Sequence, residues 1–228
     1  ILRGHRRRVF YKPVPVRQQD YYMRAEEVIP WLGALGIRPD PVYRRLAILM
    51  VLTGLRVGEA SGLCWDAVDT GEISGQPRLR VVRTLSWDYK TRQPYFQAEA
   101  KTDTSIRTVP IEGPVLTMLR ELRDTQRAQA AGPIFKTQKG TLLRDNTIRA
   151  NFNAAFGACN LGWSGTHITR HTFATLALIS ERDLGAVQAA LGHASQKVTA
   201  GYAKVVALQT SRTSGRVAEV IGLASSNP

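Results

Sequence analysis

The chain has 228 residues, enough for one substantial hydrophobic core and at most a small second unit. Its 31 lysines and arginines against 18 acidic residues give a net charge of +13, which favours a polyanionic partner such as nucleic acid. The sequence contains no run of about eighteen apolar residues that could span a bilayer, and no basic amphipathic stretch that would favour a membrane surface. The two cysteines, Cys64 and Cys159, suit a reducing compartment better than a disulfide framework.

The N-terminal third combines a basic segment with two helical patterns. Residues 1–20 contain four arginines in the first eight positions and then two prolines, which predicts an extended linker or arm. Apolar residues at helical spacing predict a helix within 21–36. Asp40 as a cap and Pro41 as the first helical residue predict a second helix, which ends at Gly54.

Between residues 78 and 111 the pattern becomes typical of strands. The segments RLRVVRTLSW, PYFQAEA and SIRTVPI are rich in β-branched and aromatic residues and predict three short antiparallel strands. Helical patterns return afterwards, with Asp145 and Asp183 as expected caps, at 114–130, 145–160, 167–180, 183–191, 195–203 and 212–224. The expected fold class is therefore α+β and mainly α-helical, with one small three-stranded antiparallel sheet.

Two motifs group cationic side chains at helical spacing. In TGLRVGEASGL, Arg56 follows a glycine break, and Glu59 three positions later could hold its guanidinium in place. In GTHITRHTFAT, spacings of three and four would stack His167, Arg170 and His171 on one helix face. Read alone, the first pair could equally be a surface ion pair, and the histidines could be packing or capping residues.

A zinc site at the two histidines does not fit the sequence. The metalloprotease pattern needs Glu directly after the first His, where Ile168 stands, and Arg170 between the two disfavours a dication. We expect neither a metal ion nor another cofactor. Two further motifs contain polar residues, with Lys101 in EAKTDTSIR and His193 and Tyr202 in LGHASQKVTAGY. Read alone, the lysine is a solvated turn residue and the tyrosine a half-buried aromatic.

Taken together, these motifs resemble the tyrosine recombinases, also called phage integrases, over nearly the whole chain after about residue 21. Polar residues occur in the order that the family shows, namely Arg56, Lys101, His167, Arg170, His193 and Tyr202. One position departs from the family's pattern. Lys204 stands two places after the tyrosine, where the family often has His or a similar polar residue.

The resemblance implies a DNA strand-cleaving and rejoining reaction through a covalent 3′-phosphotyrosyl intermediate. Such chemistry keeps the phosphodiester energy in the tyrosyl ester, and cationic donors oppose the charge of the nonbridging oxygens. By this resemblance, Tyr202 is the nucleophile, and Arg56 and Arg170 bind the phosphate. Lys101 is the acid for the leaving 5′-oxygen, and His167 assists proton transfer from the tyrosine. His193 donates a hydrogen bond to the phosphate, and Glu59 orients these groups.

The same resemblance implies a domain organisation and partners. Residues 21–228 would form the catalytic domain, residues 1–20 would be an interdomain linker, and the core-binding domain that usually precedes them would be absent. Residues 208–228 would form a terminal helix that packs on its own domain or docks on a neighbouring subunit. The expected partner is double-stranded DNA with specific recombination sites. The protein would be a monomer when free and a tetramer on DNA. It would act in the bacterial cytoplasm and not at a membrane.

Two other functions stay open on the sequence. A DNA-binding module of similar fold without catalysis would need the basic charge, but not the tyrosine, the lysine and both arginines together. A type IB topoisomerase or a hairpin telomere resolvase would share the cut-and-reseal chemistry without synapsis.

Overall fold

A computed structural model of the chain describes residues 21–98, 106–126 and 131–181, together with Gly185, Val187 and Leu191. The predicted basic segment 1–20, the predicted helices 195–203 and 212–224, and the expected cap Asp183 lie outside the described residues. The helices within them are α1 Ala25–Gly36, α2 Val42–Thr53, α3 Val57–Ser61, α4 Gly113–Gln126, α5 Asp145–Ala158 and α6 His167–Glu181.

The first residues of α2, α4, α5 and α6 agree with the prediction to within one residue. Pro41 precedes α2, which begins at Val42, and Asp40 Oδ1 accepts a hydrogen bond from the Val42 N–H at 3.1 Å. Asp145 is the first residue of α5 and not its cap. A carboxylate is favourable at either position, because the N–H groups of the first turn have no partner within the helix. The predicted mainly helical α+β class is confirmed.

The strands form two small antiparallel sheets. The three-stranded sheet has the order β1-β2-β5 and the two-stranded sheet pairs β3 with β4. The strands are β1 Val68–Asp69, β2 Arg78–Val81, β3 Arg83–Trp87, β4 Pro94–Ala98 and β5 Arg107–Pro110.

The small three-stranded sheet of the prediction is therefore present, but with different members. The segment RLRVVRTLSW changes its partner at Val82, so β2 pairs with β5 while β3 pairs with β4. Strand β1 was not predicted, because two residues are too few to show an alternating pattern.

Helix α2 is the centre of the core. Eight of its twelve residues are buried, and it packs against α1, α4, α5 and α6. A helix that is apolar on nearly all sides needs such neighbours on every side. Between α1 and α5, the Trp31 ring stacks on the Phe156 ring, with 5.0 Å between the ring centroids. It also packs edge-to-face with the Phe152 ring, with 5.1 Å between the centroids.

Helix α6 is joined to the beginning of the described chain. The Met23 N–H donates to Thr172 Oγ1 at 2.9 Å, and Met23 is fully buried. The end of α2 also lies against α6, where Gly54 has a φ of 67° and contacts the Phe173 ring. These contacts fix α6 relative to the chain segment that follows α2.

Gly54 provides a test of this packing. A Cβ at this position would overlap the Phe173 ring and approach Leu191 Cδ2 to 2.8 Å, and the left-handed backbone disfavours any other residue. We expect Gly54→Ala to lower the free energy of unfolding, measured with urea, by more than about 1–2 kcal/mol.

The matched control is Gly33→Ala in α1, where no atom beyond the neighbouring residues and the helix's own backbone lies within 4 Å of the added methyl group. This control should raise stability by roughly 0.5–1 kcal/mol, because alanine loses less backbone entropy in a helix. A Gly54→Ala variant as stable as the wild type would contradict the close packing of α2 on α6.

Candidate active site

One buried carboxylate, that of Glu59, joins two arginines from different elements. Glu59 Oε1 accepts hydrogen bonds from Arg56 Nη1 at 2.9 Å and Arg107 Nη1 at 3.1 Å. Glu59 Oε2 accepts from the Arg56 backbone N–H at 2.8 Å and Arg107 Nη2 at 2.8 Å. Each oxygen therefore bonds once to each arginine.

The local sequence explains how these three residues meet. Gly54 ends α2 in a left-handed conformation, and Arg56 precedes α3 in an extended one. Glu59, in the first turn of α3, can then reach back to the Arg56 N–H, as in a capping box. Arg107 enters from β5, where it shares the inward face with Val109. The site thus depends on one turn and one strand register.

Burial differs sharply among the three side chains. The Glu59 side chain is 1% exposed and that of Arg107 is 6% exposed, whereas 44% of the Arg56 side chain is accessible. Burial alone would raise the pKa of Glu59, but the hydrogen bonds and charges of Arg107 and Arg56 outweigh it and hold the pKa below its ordinary value. Glu59 is therefore ionised at neutral pH.

Arg170 of α6 forms hydrogen bonds with the backbone of two other chain segments. Its Nη1 donates to the Gly54 carbonyl and its Nη2 to the Leu191 carbonyl, both at 2.7 Å, and the residue is 4% exposed. Gly54 lies two residues before Arg56, and Leu191 lies two residues before His193. The arginine thus ties together chain segments that are far apart in sequence.

The two histidines of α6 have different environments. His167 is exposed at the start of the helix, whereas His171 is half-buried with its ring edge-on to Tyr21 at 5.0 Å. The two imidazole centroids are 6.1 Å apart. Burial, followed by the charges of His167 and Arg170, lowers the pKa of His171 from 6.5 to about 4. His171 is therefore neutral at physiological pH.

The described residues include Arg56, Glu59, His167 and Arg170 of the predicted site. Lys101, His193 and Tyr202 lie outside the described residues, so their positions remain predictions. Among the described residues, no three His, Cys, Asp or Glu side chains form a cluster that could hold a metal ion. No helix in the described part of the chain is long and apolar enough to cross a membrane.

Arg107 was not among the predicted site residues. A signal was present, because in the strand RTVP an arginine shares the inward face with Val109. A charged residue on the buried side of a strand requires a partner of opposite charge. The partner, Glu59, lies 48 positions earlier in the chain, and no local pattern indicates it.

The fold is that of tyrosine recombinase catalytic domains. It is similar to the Tn1549 transposon integrase in complex with a circular intermediate DNA, with a TM-score of 0.68 and 17% identity over 79% of this chain and 60% of that one. It is also similar to the catalytic domain of bacteriophage HP1 integrase, with a TM-score of 0.52 and 18% identity over 85% of this chain and 96% of that one.

The chain belongs to the phage integrase family, whose model matches residues 22–208. It is 36% identical over 174 residues to tyrosine recombinase XerC of Methylobacterium sp. (strain 4-46), covering 74% of this chain and 48% of that protein. It is 28% identical over 181 residues to a tyrosine recombinase XerC-like protein of Caldanaerobacter subterraneus subsp. tengcongensis, covering 73% and 46%. The chain spans about half the length of the curated relatives it matches.

The environment of His171 predicts a pH-dependent stability. As pH falls through 6.5, His171 of the unfolded chain takes up a proton, whereas the folded protein resists protonation until its pKa of about 4 is reached. Stability should therefore decrease as pH falls across this window, and His171→Gln should show a shallower decrease in Tm.

A comparison variant is His167→Gln, which should retain most of the dependence, since burial and not the charge of His167 is the largest cause of the pKa shift. The measurement is thermal unfolding at several pH values between about 4 and 6.5, the pKa values of His171 in the folded and unfolded chain. Equal pH dependence of the wild type and His171→Gln would show that His171 is not held neutral by the fold.

Proposed function

We propose that this chain is the catalytic part of a site-specific DNA recombinase, which cleaves and rejoins DNA strands through a 3′-phosphotyrosyl intermediate. The proposed partner is double-stranded DNA with specific recombination sites, to which the net charge of +13 is suited. A tetramer on two DNA sites would be the active assembly, the free protein would be a monomer, and the protein would act in the bacterial cytoplasm.

The observation that carries the proposal is the position of Arg170. Its hydrogen bonds join α6, which contains His167, to the carbonyls of Gly54 and Leu191. In the sequence, these two residues come two positions before Arg56 and His193. A reaction at one phosphate needs donors from these segments to converge on a single group. A protein that only bound DNA would not need a buried arginine that joins these segments.

The described residues support distinct roles for the two arginines. We expect Arg56 to bind a nonbridging phosphate oxygen, because 44% of its side chain is accessible and its guanidinium is held by Glu59. Arg170 is buried and anchored at both terminal nitrogens, so it would supply a fixed positive charge to the same phosphate. Arginine suits both roles, because its guanidinium stays charged and has five N–H groups, so it can be held by the protein and still act on a phosphate.

The remaining roles complete the proposed reaction. The Tyr202 hydroxyl attacks the scissile phosphorus, a bond to the 3′-phosphate forms, and the bond to the 5′-oxygen breaks. His167 assists removal of the tyrosine proton, Lys101 gives a proton to the departing 5′-oxygen, and His193 donates a hydrogen bond to the phosphate. The reverse sequence with a new 5′-hydroxyl reseals the strand, so no external energy source is needed.

A covalent selection tests the proposal and identifies the DNA site in the same experiment. The full-length protein is incubated in EDTA with random-sequence duplexes that carry a nick, so that the short cleaved strand diffuses away and the adduct persists. We expect protein–DNA adducts that resist detergent, with the DNA attached through its 3′-phosphate to Tyr202. Tyr202→Phe should bind the selected duplexes equally and form no adduct.

The other outcomes correspond to the alternative functions. Sequence-specific binding without any adduct would identify a non-catalytic DNA-binding module. Relaxation of a supercoiled plasmid that lacks the selected sequence would identify a topoisomerase of the same chemistry. An adduct from Tyr202→Phe would show that another residue is the nucleophile.

A further inference from the structure

The structure contains a buried ion pair between Arg107 and Glu59 that no step of the proposed reaction uses. We propose that Arg107 is a positioning residue, which fixes Glu59 and thereby sets the orientation and the effective charge of Arg56. This inference rests on the proposed function, because Arg56 acts on the DNA phosphate only if the chain is a recombinase.

The geometry explains how Arg107 could orient Arg56. Both terminal nitrogens of Arg107 bond to Glu59, one to each oxygen, at 3.1 and 2.8 Å. A two-point contact between planar groups fixes the plane of the carboxylate as well as its position. Glu59 Oε1 then presents a fixed acceptor to Arg56 Nη1 at 2.9 Å. Without Arg107, the carboxylate could rotate and carry the Arg56 guanidinium with it.

Charge provides a second, independent reason. Glu59 carries one negative charge, and two arginines share it, so the group of three residues has a net charge of +1. If Arg107 were apolar, Glu59 would be paired with Arg56 alone, and the positive charge available to a phosphate would be largely cancelled. Arg107 therefore leaves Arg56 cationic towards the accessible side of the site.

Burial separates the roles of the two arginines. Arg107 is 6% exposed at its side chain and Arg56 is 44% exposed, so Arg56 is the member of the pair that a DNA phosphate can reach. Arg107 also lies in β5, six positions after Lys101 in the chain. Its bond to Glu59 therefore holds β5 against α3. In the chain, β5 follows Lys101 and α3 follows Arg56.

The test measures single-turnover adduct formation by the full-length protein on a selected nicked duplex, at saturating protein. We expect Arg107→Met to slow the reaction by roughly 10²-fold, as for other misplaced catalytic groups, with little change in DNA affinity. The double variant Arg56→Ala/Arg107→Met should be no slower than Arg56→Ala alone, because Arg107 acts through Arg56.

The matched control is Arg123→Met. Arg123 also pairs with a carboxylate distant in sequence, that of Glu72 in the turn after β1, at 3.2 Å, and the variant should react at the wild-type rate. Arg107→Lys retains the charge but cannot make two parallel bonds, so its rate should lie between those of the wild type and Arg107→Met. This milder variant keeps the test available if Arg107→Met does not fold.

Two results would overturn the inference while the proposed function stands. One is a wild-type rate for Arg107→Met or, if that variant does not fold, for Arg107→Lys. The other is a double variant whose defect is the product of the two single defects, since independent effects multiply. If the wild type itself forms no adduct, the proposed function fails, and the role of Arg107 fails with it.

Discussion

The arrangement of the site depends on one buried negative charge. Glu59 is almost completely removed from water, and a carboxylate in that position is tolerated only when hydrogen bonds and positive charges compensate it. Arg107, in the three-stranded sheet, and Arg56, next to the first turn of α3, both donate hydrogen bonds to the Glu59 carboxylate and balance its charge. The need to satisfy one ion therefore fixes a helix, a strand and an accessible arginine relative to one another.

A second constraint is the close contact between α2 and α6. The left-handed turn at Gly54 allows the Phe173 ring to approach the backbone and directs the Gly54 carbonyl towards Arg170. The same turn leads the chain into Arg56 and α3. One glycine thus determines both the packing of the helices and the relative positions of the two arginines, so changes that affect stability at this point are also expected to affect the chemistry.

Much of the fold and part of the site could be predicted from the sequence, for reasons that differ between elements. Helices such as α2 and α6 have long apolar patterns, and the separation of three residues between Arg56 and Glu59 indicated their contact. The division of the sheets at Val82 could not be predicted, because the choice of partner strand depends on tertiary packing. The pairing of Arg107 with Glu59 was missed for the same reason, since it joins residues 48 positions apart.

The central claim is that Arg56, held by Glu59, opposes the negative charge of the scissile phosphate. The most direct measurement compares adduct formation by the wild type and Arg56→Ala on a phosphate and on a neutral methylphosphonate at the cleavage position. On the phosphate, we expect Arg56→Ala to be about 10²- to 10³-fold slower than the wild type. On the methylphosphonate this defect should largely disappear, because the transition state carries one negative charge fewer than on the phosphate. An equal defect on both substrates would contradict the account.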